Sequence, residues 1–375
     1  MAISRRDFIR AGAGALTVGA CASQGLAAAP TAARAARALV LIELNGGNDG
    51  LNTVIPYADP AYYQARPTLA ISPARVLKLS GDTGLHPSMP ELADLFHTGR
   101  LAIFRGVGHP NPSRSHFTSQ QIWHTADPSG ATSTGWLAAR APLFYCGPVC
   151  PQMFCGVTAT PVCLDATAPA DLIRSPDLPV PSGTGRDDSF AQRVRPPEFG
   201  GTGFQPVVSV LRHTSAAADT GGVPGTRTPN VSYPTTPLAQ GLARFAQVIT
   251  QTDTSAFFHI AQAGFDTHAR QADLHASLLQ TVSQAIGAFM ADLSADGPDR
   301  DALVLVFSEF GRRLKENGSV GTDHGEASVV LLAGRGIPGG IHGDAPSLED
   351  LHDGGLRATT DFRTCYAAAM ARMVP

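Results

Sequence analysis

The stretch that decides the fold is Ala38-Leu39-Val40-Leu41-Ile42-Glu43-Leu44, followed directly by Asn45-Gly46-Gly47-Asn48-Asp49-Gly50. A short, continuous apolar run is typical of a strand buried on both faces of a parallel sheet, and the glycines after it indicate a loop at its carboxyl end. Four further apolar runs are candidate strands, at 101–107, 255–260, 303–307 and 328–333.

Helical patterns lie between these strands, at 89–98, 115–124, 238–250 and 270–293. In the last of them, leucine, valine, isoleucine and phenylalanine recur at helical spacing. Strands that alternate with helices predict an α/β protein, a three-layer sandwich around a mostly parallel central sheet. In such sheets ligands bind beyond the carboxyl ends of the strands, so we expect the functional residues there.

Composition limits the class of function. The chain has 375 residues, of which 43% are hydrophobic and 16% charged, and its formal net charge is -3. A large core is therefore possible, and the lack of a basic excess argues against a nucleic-acid-binding protein. Beyond the N-terminus, no run approaches the roughly 20 apolar residues of a membrane span, so we expect no transmembrane helix in the mature chain.

The N-terminus predicts an export signal. Ser4-Arg5-Arg6-Asp7-Phe8-Ile9-Arg10, followed by a mildly apolar run to about Ala20, is typical of twin-arginine signals. We expect residues 1–29 to be removed after Ala27-Ala28-Ala29. The twin-arginine translocase would then be a partner during export, and the mature chain would be periplasmic or otherwise extracytoplasmic. The less favoured alternative is a lipid tether at Cys21.

We expect residues 36–375 to form one domain, interrupted at about 142–237 by a loop-rich insertion. That segment holds most of the prolines and four cysteines, namely Cys146, Cys150, Cys155 and Cys163. In an oxidising compartment disulfides are the favoured fate of these thiols, while metal binding and free thiols remain open. Because the four cysteines contain no Cys-x-x-Cys pair, a thiol oxidoreductase is not favoured.

Polar residues cluster at the predicted strand ends. The clusters are Asn45 to Asp49, Ser113 to Phe117, Gly264 to His268, Ser308 to Arg313, and Gly321 to Gly325 just before the last strand. Carboxylates and imidazoles brought to one edge of a sheet predict a site for a divalent metal such as zinc, manganese or iron. Two metals close together would suit phosphoryl or sulfuryl transfer.

Each of these residues also has a purely structural interpretation. Ser115 at a predicted helix start is a candidate nucleophile or anion ligand, but serine is also a preferred N-cap. Asp49 fits a turn, and Asp266 with His268 could cap the next helix. Glu309 could form an ion pair with one of the arginines that follow it.

The motifs resemble a known family. Glu43 to Asn52, Arg114 to Phe117, Gly264 to His268, Ser308 to Arg312 and Gly321 to Gly325 are similar to domain of unknown function 1501. The resemblance spans about residues 38–140 and 230–375, and the twin-arginine start is typical of the family. The family in turn looks like a distant branch of the alkaline phosphatase and sulfatase superfamily, which implies an alkaline-phosphatase-like core.

The resemblance implies a role for each matching residue. Ser115 would be the nucleophile. Because arginine binds anions through bidentate hydrogen bonds, we also expect Arg114 or Arg312 to hold a small anionic ester substrate. One or two divalent ions (zinc, manganese, calcium or iron) would be bound by two groups of ligands: Asp266, His268 and His324 for the first, and Asp49 and Glu309 for the second. The superfamily commonly has Asp-His or Asp-Asn where this chain has Glu309-Phe310.

Two functional hypotheses follow. The first is an exported, metal-dependent hydrolase of phosphate or sulfate esters. The second is a cell-envelope binding or assembly protein that keeps the phosphatase-like scaffold without turnover.

Overall fold

The fold is built around a ten-stranded sheet. The computed structural model describes residues 38–110, 112–137, 152–156, 171–174, 207–212, 227–251, 256–297 and 301–373. The strands are β1 Ala38–Asn45, β2 Val54–Ile55, β3 Leu77–Lys78, β4 Gly84–Leu85, β5 Leu101–Gly108, β6 Gln152–Gly156, β7 Asp171–Arg174, β8 Val207–Arg212, β9 Ala256–Ala263, β10 Ala302–Phe307, β11 Ser328–Ala333, β12 Gly340–His342, β13 Leu351–His352, β14 Gly355–Leu356 and β15 Thr360–Asp361. The helices are α1 Gly50–Thr53, α2 Pro60–Ala65, α3 Pro90–His97, α4 His116–Thr125, α5 Pro237–Gln251, α6 Gln271–Ala295 and α7 Phe362–Met373.

Strand β1 lies in the middle of the sheet, whose order is β12-β5-β11-β10-β1-β9-β6-β8-β7, with β15 paired to β5. It runs parallel to both of its neighbours, β9 and β10. The sheet is nevertheless mixed, because β8 and β11 run against the other strands. Parallel neighbours need a long crossover, usually helical. The connection 308–327 contains no helix, and β11 accordingly returns antiparallel beside β10.

Helices cover both faces of the sheet. On one face, Val40 and Ile42 of β1 belong to a core that includes buried side chains of α3, α5 and α6. On the other face, Leu39 and Leu41 belong to a second core with side chains of α4 and α7. Successive side chains of a strand point to opposite faces, so the continuous apolar run of β1 supplies both cores. The predicted α/β class is therefore confirmed.

The segment predicted to be a loop-rich insertion contains three strands of the main sheet. Strand β6 pairs in parallel with β9, and β8 and β7 continue the sheet beyond it. The prediction missed them because it followed the many prolines and glycines rather than the short runs between them. Cys155 lies in β6, whereas Cys146, Cys150 and Cys163 lie outside the described residues, as do the predicted signal 1–29 and Cys21.

The remaining element predictions agree closely with the structure. The run predicted at 303–307 is β10, Ala302–Phe307, and the helix predicted at 270–293 is α6, Gln271–Ala295. Among the helices that the structure describes, none has both the length and the apolar character needed to cross a membrane.

Candidate active site

One edge of the sheet collects most of the predicted site residues. Strands β1, β5, β9 and β10 run in the same direction, so the loops after them meet at that edge. Because β11 runs the opposite way, it begins at the same edge. His324, just before β11, is therefore brought beside Asp266 and His268, which follow β9.

Asp266, His268 and His324 form a compact group of ligand atoms. Asp266 Oδ1 lies 3.0 Å from His324 Nε2 and 3.0 Å from His268 Nε2, and the two Nε2 atoms are 2.9 Å apart. His116 Nε2 lies 3.7 Å from Asp266 Oδ2, and its ring centroid is 4.6 Å from that of His324. We call these four residues the rim cluster. Asp266, with 48% of its side chain exposed, keeps the cluster open to solvent.

The outer nitrogens of two rim-cluster imidazoles face hydrogen-bond acceptors. His324 Nδ1 lies 3.0 Å from the carbonyl oxygen of Arg114, and His268 Nδ1 lies 3.2 Å from Asp323 Oδ1. A carbonyl can only accept, so Nδ1 of His324 carries the proton. Burial lowers the pKa of His324, although the neighbouring Asp266 carboxylate opposes the shift. The lowered pKa favours the neutral ring, with a lone pair on Nε2. Acceptors of this kind behind Nδ1 commonly orient metal-binding histidines.

Three possible metal-ligand atoms thus converge in the rim cluster. Partial burial alone would raise the pKa of Asp266, but the hydrogen bond and the charge of Arg312 lower it to about 2. Its oxygen is therefore ionised at neutral pH and faces Nε2 of His324 and Nε2 of His268. Acceptors packed about 3 Å apart repel one another unless a proton or a metal cation lies between them. The donor set of one carboxylate and two imidazoles fits a transition metal.

Glu309 binds His116. Its Oε1 lies 2.8 Å from His116 Nδ1 and accepts the amide of Gly46 at 2.9 Å, while Oε2 accepts the hydroxyl of Ser308 at 2.9 Å. The bond to Glu309 raises the pKa of His116, although burial opposes the shift. Both oxygens of Glu309 are thus engaged, and these contacts do not support its predicted role as a metal ligand. His116 lies within the Arg114 to Phe117 motif, but no local pattern favours it over its neighbours.

Arg312 is buried and links several loops through hydrogen bonds. Its guanidinium donates to Asp266 Oδ1 at 2.7 Å and to the carbonyls of Gly47, Thr322 and Phe265 at 2.6–3.0 Å, and it also contacts the carbonyl of Gly46. Only 2% of the residue is exposed. A guanidinium so fully occupied positions Asp266, and these contacts do not support the predicted role of Arg312 in holding a substrate.

Arg114 and Ser115 lie at the start of α4. The Arg114 side chain donates to Glu326 at 3.0 Å and to the carbonyl of His352 at 3.0 Å, so its predicted substrate role is not supported by its contacts. Ser115 is exposed and occupies the N-cap position, but its side chain makes no capping hydrogen bond to the first turn of α4, all of which is described. Its hydroxyl is thus left available, between two residues that contact the rim cluster's His324 and Asp266.

Asp49 is engaged in a buried ion pair. Its Oδ2 lies 2.6 Å from Arg66 Nη1, and Oδ1 accepts the amide of Asn52 as the N-cap of α1. The predicted second metal site of Asp49 and Glu309 is therefore not supported by these contacts. Arg66 follows α2 and was not singled out from the sequence, because nothing local marks it as a partner of Asp49.

The Asp49 carboxylate should make stability depend on pH. Burial alone would raise its pKa, but the charge and hydrogen bond of Arg66 lower it below the usual 3.8. A lowered folded-state pKa contributes stability that is present above the unfolded value and lost as the pH falls through the folded one. We therefore expect the destabilisation caused by Asp49→Asn to be full at neutral pH and to shrink in acid. Urea titrations of the wild type and the variant, from neutral to acidic pH, measure this difference in stability. A difference that does not change with pH would contradict the expectation.

Gly46 lets two loops of the site approach closely. It has φ +122°, and a Cβ there would lie 2.2 Å from the backbone nitrogen of Asp266. We expect Gly46→Ala to destabilise the protein by about 1–3 kcal/mol and to weaken metal binding, because it pushes Asp266 away. Gly318→Ala is the matched control, since a Cβ there meets nothing within 4 Å. Chemical denaturation compares the two, and equal effects would contradict the role given to Gly46.

Comparison with known families matches part of the chain to one family model. Residues 234–361 match the family described as Protein of unknown function (DUF1501). The family resemblance is therefore confirmed over that range, which contains Asp266, His268, Glu309, Arg312 and His324. No curated protein matches the sequence.

Among solved structures, the chain is similar to the C-terminal periplasmic domain of EptC from Escherichia coli in complex with zinc. The sequence identity is 10% and the TM-score 0.35, over 80% of this chain and 73% of that one.

Proposed function

We propose that the protein is an exported, metal-dependent hydrolase of phosphate or sulfate esters, with its centre at the rim cluster. The observation that carries the proposal is the convergence of Asp266 Oδ1 with Nε2 of His268 and His324 at 2.9–3.0 Å. Nitrogen ligands favour zinc, manganese or iron over calcium, which prefers oxygen. His116 offers a further ligand atom, since it forms a possible metal-binding group with Asp266 and His324.

Ser115 is the proposed nucleophile. A metal bound beside it would polarise the ester and lower the pKa of a nearby hydroxyl. Attack by Ser115 Oγ forms a bond to phosphorus or sulfur and breaks the bond to the leaving alcohol, which takes up the serine proton. Water then cleaves the serine ester, releasing the inorganic anion and restoring Ser115. Glu309 accepts a hydrogen bond from Nδ1 of His116 and so orients the ring with Nε2 toward Asp266.

Replacement of Asp266 tests the metal centre. We expect Asp266→Asn to lose the rim-cluster metal and hydrolysis of aryl phosphate or sulfate esters, because the amide carries no charge to hold a cation. Metal content by mass spectrometry and release of the aryl alcohol measure the two effects. Asp273→Asn, at an exposed carboxylate in the first turn of α6, is the matched control. A wild-type protein that binds no metal and hydrolyses neither ester would exclude the proposal.

A non-catalytic binding protein of the envelope is the second candidate. Its support is Arg312, which donates to the same Asp266 oxygen that the histidines face and so supplies positive charge without a metal. This candidate predicts a protein stabilised by the rim cluster, with or without metal, and lacking ester hydrolysis that depends on Ser115.

Export by the twin-arginine pathway belongs to the proposal as well. It is supported by Arg5-Arg6 and the apolar run that follows. Mass spectrometry of the N-terminus of the protein recovered from the periplasm tests it. A chain found only in the cytoplasm with residues 1–29 still attached would contradict it.

A further inference from the structure

A second group of possible metal ligands lies inside the protein. Glu43 Oε2 is 2.9 Å from His124 Nε2 and 2.9 Å from His259 Nε2. The three side chains come from β1, α4 and β9, and all three residues are buried. We call this group the inner triad. The mechanism proposed for the rim cluster does not use it.

The inner triad lies in the apolar layer between the sheet and α4. Glu43 follows Leu41 by two residues and His259 follows Phe257 by two, so both point into the second core. Trp123, next to His124, stacks on Phe307 with ring centroids 5.3 Å apart. Three polar side chains inside such a layer are costly to bury unless they are paired or bind a ligand.

Glu43 is incompletely satisfied by the two histidines. Its Oε1 is buried and has no hydrogen-bond partner among the described residues. A carboxyl group with one unpartnered oxygen is thus held in the core, where leaving an acceptor unpaired costs about 1–3 kcal/mol.

We propose that Glu43, His124 and His259 bind a second divalent metal ion of the zinc class, which holds β1, β9 and α4 together. One carboxylate and two imidazoles are an established ligand set for zinc. Glu43 Oε1 would supply a fourth donor atom if the carboxylate binds through both oxygens. The ring planes of His124 and His259 are nearly perpendicular, at 84°, with their Nε2 atoms turned to one carboxylate.

The inner triad is separate from the rim cluster. His116 of the rim cluster and His124 of the inner triad lie at opposite ends of α4, about 12 Å apart along the helix axis at 1.5 Å per residue. The inner metal would be enclosed as the chain folds and would leave only when the core opens. A bound ion of this kind stabilises the folded state by mass action.

Zinc content and anomalous scattering test the proposal. With zinc supplied, we expect Asp266→Asn to keep one zinc ion per chain and His259→Gln to lose that inner ion. His275→Gln is the matched control, since His275 is equally buried but bonds to Asn48 instead. It should retain the zinc content of the wild type. If His259→Gln does not fold, an anomalous map of zinc-loaded wild-type crystals decides the question.

The two metal proposals fail in different ways. A zinc peak at the inner triad with none at the rim cluster would support the inner site while removing the proposed hydrolytic centre. A map without a peak between Glu43, His124 and His259 would overturn the inner site, whatever the rim cluster binds. The triad would then be a hydrogen-bonded network alone.

Discussion

Replacing Arg66 by methionine is expected to lower the free energy of unfolding by about 3–5 kcal/mol. Arg66 and Asp49 form an ion pair whose side chains are 0% and 1% exposed. The guanidinium also donates to Asn52 Oδ1 at 2.8 Å and to the carbonyl of Leu314 at 2.8 Å. Methionine of similar length fills the space but leaves the Asp49 carboxylate buried without a counter-charge. Denaturant titrations of the variant and the wild type measure the loss.

An exposed ion pair provides the control for Arg66. Arg357 lies 2.9 Å from Asp350, with side chains 52% and 70% exposed. Because water screens such a pair, Arg357→Met should cost less than about 1 kcal/mol. Adding Asp49→Asn to Arg66→Met should recover part of the loss, since the unpaired charge is then removed. If the buried and exposed arginines cost the same, the Asp49–Arg66 pair does not hold the loop after β1 in place.

The main strands and helices could be predicted because their patterns are local. The apolar run of β1 supplies side chains to both cores, and apolar residues recur at helical spacing over many turns of α6. Strand direction is not local: β11 is as apolar as β10, yet it returns antiparallel because 308–327 forms no crossover helix. Strands β6, β7 and β8 were missed because short runs among prolines carry little periodic signal.

The sequence predicts which loops form the site, but not which side chains pair with one another there. Asp266, His268 and His324 lie together because loops at one edge of a sheet converge. Which side chain pairs with which depends on long-range packing. Asp49 pairs with Arg66, which follows α2. The N–H groups of Arg312 are occupied by backbone carbonyls of three loops. The residues of the inner triad are far apart in sequence, so no local pattern predicts that they meet.

Replacing Ser115 by alanine is expected to reduce kcat for ester hydrolysis on the order of a thousandfold or more, because the proposed nucleophile is lost. Metal binding and the thermal midpoint of unfolding should stay close to wild type. Ser115 is exposed, and its side chain makes no capping bond with the described first turn of α4, so alanine removes no helix contact. Steady-state kinetics with an aryl phosphate and an aryl sulfate measure the change.

Thr118→Ala separates loss of the nucleophile from damage to the helix. Thr118 is an exposed hydroxyl in the same first turn of α4, so its removal perturbs that turn to a similar extent. This control should leave kcat unchanged. Equal activity in the two variants would mean that Ser115 does not attack the substrate. If metal binding survives in that case, water held at the rim cluster becomes the better candidate for the nucleophile, because a bound divalent ion lowers the pKa of water as it does that of a hydroxyl.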